Sequence, residues 1–304
     1  MTIDQLVSFN GELIPFSDAK IHILTPAMKY GTAVFEGLRA YADDQDQSFV
    51  FRMDDHLRRL QESAKVMRFD GMPGNDDLRG AILDLLRAGG TARDVHIRLM
   101  AWIDGEDGLM IAREPVCWAV AALASRQSKQ IREGIHVAVS SWERNNSNAM
   151  PVRVKATANY MNGRLAGLQA AVDGYQGTIL LNQQSLVSES PATSVFLIKD
   201  GVAVTPSISN DILASITRDS LIKLLRSELG LACEERDVQR TELYTAEEAF
   251  LCGTALEIQP VLSVDRIEIS REPGPITRQL QKAYFDAVRG LLPSYCEWLC
   301  PVFE

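Results

Sequence analysis

Residues 150–160 read Met150-Pro151-Val152-Arg153-Val154-Lys155-Ala156-Thr157-Ala158-Asn159-Tyr160, which sets a lysine among small and apolar neighbours. A lysine ordinarily runs its stem over apolar surface and keeps its charge in water. Where the surroundings are apolar, the ammonium form is disfavoured and the free amine becomes a nucleophile able to form a Schiff base with an aldehyde. The stretch follows a predicted strand at 135–140 with its trailing loop, and it precedes an amphipathic helix predicted for 160–172. Lys155 therefore stands at a junction between elements, and the rest of the chain has to decide between a solvated lysine and a reactive one.

Composition bounds that choice. The chain has 304 residues, room for two domains or one large one, and its 46% hydrophobic and 23% charged content is that of a soluble globular protein. A formal net charge of −9 argues against nucleic acid or an anionic membrane as the main partner. No charged segment followed by an apolar core opens the chain, so no secretory signal is read there. The longest apolar run, 115–124, is about half of what a membrane helix needs. Cys117, Cys233, Cys252, Cys296 and Cys300 form no C-x-x-C pair, and an odd count suits reduced thiols in a cytoplasm. Cys296 and Cys300 are four residues apart, but no histidine follows them and no metal site is expected.

Upstream, residues 6–14 read as a hairpin turning at Asn10-Gly11. The segment Tyr30-Gly31-Thr32-Ala33-Val34-Phe35-Glu36-Gly37-Leu38-Arg39-Ala40-Tyr41 reads as a strand with a glycine bend, carrying aromatic residues able to wall a cavity. A short strand at 49–52 and a helix at 54–69, capped by Asp54 or Asp55, follow. His56 and Arg59 sit three apart on that helix, so Arg59 is either a surface ion pair or a fixed fork for a phosphate. A second helix is predicted over 77–88, and strands over 94–102 and 116–123. His96, Arg98 and Met100 share one side of the first of these strands by its two-residue period. Residues 103–110 form the intervening loop, and the polar segment 125–133 is a candidate linker.

Downstream of Lys155, strands are predicted at 178–181, 193–198 and 202–205. A helix opens after Ser215 or Thr217 and runs to about residue 229; its exposed N–H groups make its start able to hold an anion. A buried strand at 248–252 runs into Gly253-Thr254-Ala255, where small residues let backbone and hydroxyl approach a ligand closely. A final helix is predicted over 275–292.

These pieces, in this order, resemble the branched-chain aminotransferases among the fold-type IV pyridoxal phosphate (PLP) enzymes. The likeness rests on the 30–39 run, on His56-Leu57-Arg58-Arg59-Leu60, and on Ser140-Ser141-Trp142 ahead of Lys155-Ala156-Thr157-Ala158-Asn159-Tyr160. It continues through Ser188-Glu189, Ile216-Thr217-Arg218-Asp219, Gly253-Thr254-Ala255 and Glu257-Ile258. The resemblance implies a two-domain α+β or α/β fold like that of D-amino acid aminotransferase, with the cofactor between the domains. The expected division is a small N-terminal domain over 1–124, the linker at 125–133, and a large PLP-binding domain over 134–304.

It also implies roles. Lys155 would hold PLP as a Schiff base and shuttle the proton. Glu189 would pair with the pyridine nitrogen, and Tyr160 with the phenolic oxygen. Arg59, Ile216, Thr217 and Thr254 would bind the phosphate. Tyr30 and Phe35 resemble walls of the side-chain pocket, with Arg98 near the substrate carboxylates and Thr254 and Ala255 at the α-carboxylate. The loop bearing Leu109 and Met110 would reach a neighbouring subunit in a homodimer or higher homo-oligomer. Ser215 stands where the family usually has glycine, Ser190-Pro191-Ala192-Thr193-Ser194 replaces a glycine-rich run, and His96 stands where a tyrosine is frequent.

The function expected from the resemblance is ping-pong exchange of an amino group between an L-amino acid, branched-chain by default, and a 2-oxo acid such as 2-oxoglutarate, in the cytoplasm. Two alternatives remain at this stage. One is a transaminase of the same fold acting on another amino acid, a D-amino acid or an amine; the other is a protein that binds PLP without turnover.

Overall fold

The computed structural model describes residues 6–90, 93–106, 108–125 and 127–303. Asp107 of the predicted 103–110 loop, Arg126 of the predicted linker and the first five residues lie outside them. The chain groups into two compact units. The first comprises Met1–Arg126, Val154–Ala158 and Asp286–Glu304; the second comprises Gln127–Arg153 and Asn159–Phe285. The single division at 125–133 thus gives way to an interleaved one. Residues 154–158, including Lys155, and the C-terminal tail group with the first unit because they hydrogen-bond to its strands.

The first unit is built on an antiparallel seven-stranded sheet ordered Leu299–Pro301, Ser48–Phe51, Ala33–Ala42, Val95–Ile103, Val116–Ala124, Leu6–Phe9, Glu12–Pro15. Val95–Ile103 begins with strict alternation, the odd-numbered residues Val95, Ile97 and Leu99 buried and His96, Arg98 and Met100 half-buried. The two-residue period of a strand thus sends the charged residues to one side, as the sequence predicts. The helix Met53–Val66 covers the opposite face and buries Leu57 and Leu60. Its N-cap position is Arg52, with φ 50°, rather than Asp54 or Asp55. Asp55 instead accepts a hydrogen bond from Arg52 Nε at 2.5 Å. A second helix occupies Asn75–Ala88.

The second unit holds an eight-stranded mixed sheet. Its path is Cys233–Arg236, Val202–Pro206, Ser194–Lys199, Glu248–Gly253, Glu257–Val264, Ile135–Val139, Gly177–Ile179, with Ile267–Glu268 paired to Glu257–Val264. Ile135, Val137, Val195, Leu197, Leu251 and Val261 form the apolar core along it. The sequence reading missed Cys233–Arg236, Glu257–Val264 and Leu299–Pro301. The first and last are short edge strands of mixed polarity. Glu257–Val264 is buried throughout and carries Pro260, a residue that argues against a strand when read from sequence. The helix predicted over 275–292 ends earlier, at Val288, and a 3-10 segment, Pro293–Trp298, carries Cys296 away from helical register with Cys300.

Two further helices are Tyr160–Val172 and Ile216–Ser227. Gly163 lets the first pack onto the turn at Pro191, since a Cβ at residue 163 would come 2.8 Å from Pro191 Cβ and 3.0 Å from its Cα. Ser190 N–H donates to Thr193 C=O across that turn at 2.8 Å. No helix among the described residues is long and apolar enough to cross a membrane.

The strand that delivers Thr254 is anchored at its other end by Glu248. The Glu248 carboxylate accepts from Ile276 N at 2.9 Å, Thr277 N at 2.7 Å and Thr277 Oγ1 at 2.6 Å, capping the helix Pro275–Val288. Such a cap satisfies N–H groups that have no partner within the helix. Glu248→Ala is expected to lower unfolding stability by roughly 2 kcal/mol, read as a shift of the denaturant midpoint at constant slope.

Candidate functional site

The residues singled out from the sequence form two sets, one in each unit. In the first unit, the strand Ala33–Ala42 organises them. One of its faces presents Phe35, Gly37 and Arg39 beside Met100, Arg98 and His96 of the neighbouring strand. The other face presents Glu36 to the helix Met53–Val66, where His56, Arg59 and Ser63 lie along one side at helical spacing.

Glu36 has no solvent exposure, and its carboxylate is fully engaged. It accepts from Arg59 Nε at 2.7 Å and Nη2 at 2.8 Å, a two-pronged contact that fixes the plane of the guanidinium. His56 Nδ1 lies 2.6 Å from Oε2. Burial alone would raise the Glu36 carboxyl, but the Arg59 charge and the hydrogen bonds from Arg59 and His56 outweigh it and hold Glu36 well below the usual carboxylate range. Burial also lowers His56, against the raising effect of Glu36. Glu36 is therefore an ionised acceptor, and Nδ1–H of a neutral His56 donates to it.

Lys155 is pinned to the same strand and helix. Its carbonyl accepts from Phe35 N–H at 3.0 Å, and its own N–H donates to Ser63 Oγ at 3.1 Å. Ala156 bridges to Val34, and Thr157 Oγ1 donates to the Gly31 carbonyl at 3.2 Å. The side chain runs to Phe35, with Nζ 4.9 Å from the ring centre, while the Arg98 guanidinium lies 4.6 Å from that centre. Phe35 is thus the shared floor beneath a lysine amine and an arginine. Tyr30, Leu109 and Met110 of the expected pocket are exposed. Lys29 Nζ donates to Gly108 C=O at 2.7 Å, tying their loop to the helix Pro26–Tyr30.

In the second unit, Glu189 is buried and paired. Arg144 Nη2 donates to Oε1 at 2.7 Å and Leu213 N–H to Oε2 at 3.2 Å, with both charged side chains 6% exposed. The helix Ile216–Ser227 is capped by Ser215, whose Oγ accepts from Arg218 N at 3.2 Å. Serine here does the work of a cap, and Thr217 falls inside the first turn instead of at the cap. The Thr217 hydroxyl comes to 3.5 Å from that of Thr254. At Gly253 an added Cβ would stand 3.2 Å from the Ala192 carbonyl and 3.1 Å from Thr193 Cγ2, so the strand end packs this closely on the 192–193 turn because none is there. Thr193 Oγ1 and Ser194 Oγ nearby are buried without a hydrogen-bond partner among the described residues. Tyr160 opens the helix Tyr160–Val172, and Ala255 is exposed.

The unit-by-unit arrangement supplies an amine, paired carboxylates, an arginine fork and a hydroxyl-lined helix N-terminus. The class IV amino-transferase family model matches residues 33–264. The chain belongs to the class IV aminotransferase family. A probable branched-chain-amino-acid aminotransferase of Aquifex aeolicus is 39% identical over 302 residues, covering 97% of this chain and 96% of that protein. Among solved structures, the branched-chain amino acid aminotransferase of Thermobaculum terrenum in its PLP-form superposes with a TM-score of 0.93 at 38% identity, covering 99% of both chains. The branched-chain aminotransferase of the archaeon Thermoproteus uzoniensis with norvaline gives 0.93 at 36% identity, covering 98% of this chain and 99% of that one.

For a class IV aminotransferase, three residues went unassigned in the sequence reading: Glu36, His56 and Arg144. Glu36 and His56 lay inside quoted motifs, and the signal was their spacing toward Arg59. Arg144 sits in a loop and carried no periodic signal. Glu36→Gln, which removes the buried carboxylate charge that Arg59 and His56 face, is expected to cost about 3 kcal/mol of stability. Because the folded-state Glu36 is held below its ordinary value of 4.5, its contribution is complete above that value and fades as pH falls further. Acid unfolding curves of wild type and Glu36→Gln should therefore converge below pH 4.5, while parallel curves would contradict the pairing.

Proposed function

We propose that this chain is a PLP-dependent aminotransferase exchanging an amino group between a branched-chain L-amino acid and a 2-oxo acid such as 2-oxoglutarate, in a ping-pong sequence. The observation that carries this reading is the likeness to branched-chain aminotransferases, 39% identity over 97% of the chain. The residues of each unit fit the cofactor. Lys155 offers its amine above Phe35, and the Thr217 and Thr254 hydroxyls converge at a helix N-terminus suited to a phosphate.

PLP, when bound, supplies an aldehyde carbon that takes the amine and a ring that accepts electron density as the substrate's α-proton leaves. The chain's own residues do the rest. Lys155 Nζ would hold the cofactor and, once displaced by the substrate amine, would carry the proton between the substrate α-carbon and the cofactor carbon that had held the lysine. Glu189, oriented by Arg144, would pair with the protonated pyridine nitrogen. Tyr160 donates its hydroxyl to the phenolic oxygen. Arg59, fixed by Glu36, binds the phosphate together with the Ile216 and Thr217 backbone and the Thr217 and Thr254 hydroxyls. Phe35 and Tyr30 wall the side-chain pocket, Arg98 attracts substrate carboxylates, and Thr254 and Ala255 take the α-carboxylate.

The working protein is a homodimer or higher homo-oligomer in the cytoplasm. Leu109, Met110 and Ile111 expose 65%, 65% and 82% of their surface, a cluster suited to burial against a second copy. Light scattering on the eluting protein should give at least twice the 33.7 kDa chain mass, and a monomer would remove that part of the reading.

Turnover of L-leucine with 2-oxoglutarate, followed as glutamate formed, tests the activity. Lys155→Ala is expected to lower the rate by roughly 10²–10⁴-fold or more. Turnover by Lys155→Ala at the wild-type rate would refute the mechanism.

A further inference from the structure

Lys155 is the central residue of a three-residue turn, closed by Ala156 N–H donating to Val154 C=O at 2.8 Å. A γ-turn of this kind bonds the residues on either side of its centre and leaves the central N–H and C=O to find partners elsewhere. The first unit takes both. Phe35 N–H donates to the Lys155 carbonyl at 3.0 Å, and the Lys155 N–H donates to Ser63 Oγ at 3.1 Å. The first of these bonds joins backbone to backbone. The second is made by a side chain, so a substitution can remove it.

Ser63 is buried, at 1% exposure, on the helix Met53–Val66. It follows Arg59 by four residues, about 6 Å of helix, and Arg59 is itself clamped to Glu36. Alanine would serve the helix better than serine does, because a serine hydroxyl in a helix interior competes for backbone groups. The local structure therefore gives no reason for a hydroxyl at this place. The distant N–H of Lys155, 92 positions along the chain, gives one. Phe35 both bonds the lysine carbonyl and lies 4.9 Å from Nζ, so the place of the turn on the strand sets the place of the amine over the ring.

We infer that Ser63 is a positioning residue for the Lys155 amine: its hydroxyl fixes the turn at the root of the lysine, so that Nζ emerges at a constant reach from Arg59. This role rests on Lys155 being the reacting amine of the proposed activity. A lysine stem is flexible, and a root left loose adds backbone freedom that must be lost each time Nζ meets its ligand. One helix thereby carries, at fixed spacing, the arginine for the cofactor's phosphate and the hydroxyl that sets the amine.

The test compares dissociation constants for the holoenzyme loaded with PLP, which bonds the lysine, and with pyridoxamine phosphate, which has the same phosphate and ring but bonds no amine. Ser63→Ala is expected to weaken PLP about fivefold and to change pyridoxamine phosphate less than twofold. In turnover of L-leucine with 2-oxoglutarate, kcat should fall about tenfold while both KM values stay within twofold. Thr178→Val removes another buried hydroxyl, bonded to the Ala138 carbonyl at 3.0 Å in the second unit, and should leave all of these within twofold. Equal weakening of the two cofactor forms by Ser63→Ala, or effects no larger than those of Thr178→Val, would overturn the inference. A wild-type protein whose lysine forms no bond to PLP would refute the proposed activity. A wild type that forms it, beside a Ser63→Ala variant of unchanged PLP affinity, would refute only the role of Ser63.

Discussion

A carboxylate at zero exposure is a severe constraint, and Glu36 can be ionised there only because Arg59 and His56 are held against it. An isolated buried charge would neutralise or unfold its surroundings. The constraint works in both directions. The helix Met53–Val66 must cross the strand Ala33–Ala42 with His56 and Arg59 facing inward, and that registration also brings Ser63 to the Lys155 backbone. One ion pair thereby sets the orientation of Arg59, the proposed phosphate ligand, and the registration that holds the backbone of Lys155.

The second unit repeats the solution with different parts. Glu189 is buried, Arg144 supplies the counter-charge, and the Leu213 amide takes the other oxygen. In each unit a buried carboxylate is paired with an arginine whose own freedom is thereby removed, which is the preorganisation that electrostatic catalysis requires. Ordinary surface pairs elsewhere, such as Lys223 with Asp219, carry no such constraint. The stability given up to bury two acids is offset by sites that need no reorganisation when a ligand arrives.

Much of this was legible in the sequence. The order of motifs specified the family, the two-residue period predicted that His96, Arg98 and Met100 share a side, and the helix beginning at Tyr160 ends at Val172 as expected. What could not be read was long-range. Residues 154–158 lie in sequence inside the second unit yet group with the first, because only the folded chain shows Phe35 N–H donating to the Lys155 carbonyl. Arg144 gave no signal since its partner is 45 residues away. Glu257–Val264 was missed because Pro260 interrupts it and because its polar residues Glu257, Gln259 and Ser263 are buried, which only the fold shows. The cap of Met53–Val66 was misread because the αL conformation of Arg52, not an aspartate, begins the helix.

The central claim is that a single bound cofactor takes an amino group from one substrate before meeting the next. The direct measurement is the absorbance spectrum of purified holo-protein titrated with L-leucine alone, with no 2-oxo acid present. The account predicts that the band of the lysine-bound cofactor is lost in proportion to the enzyme, with one equivalent of 4-methyl-2-oxopentanoate released, and that 2-oxoglutarate then restores it. A spectrum unchanged by leucine, isoleucine and valine would contradict the account.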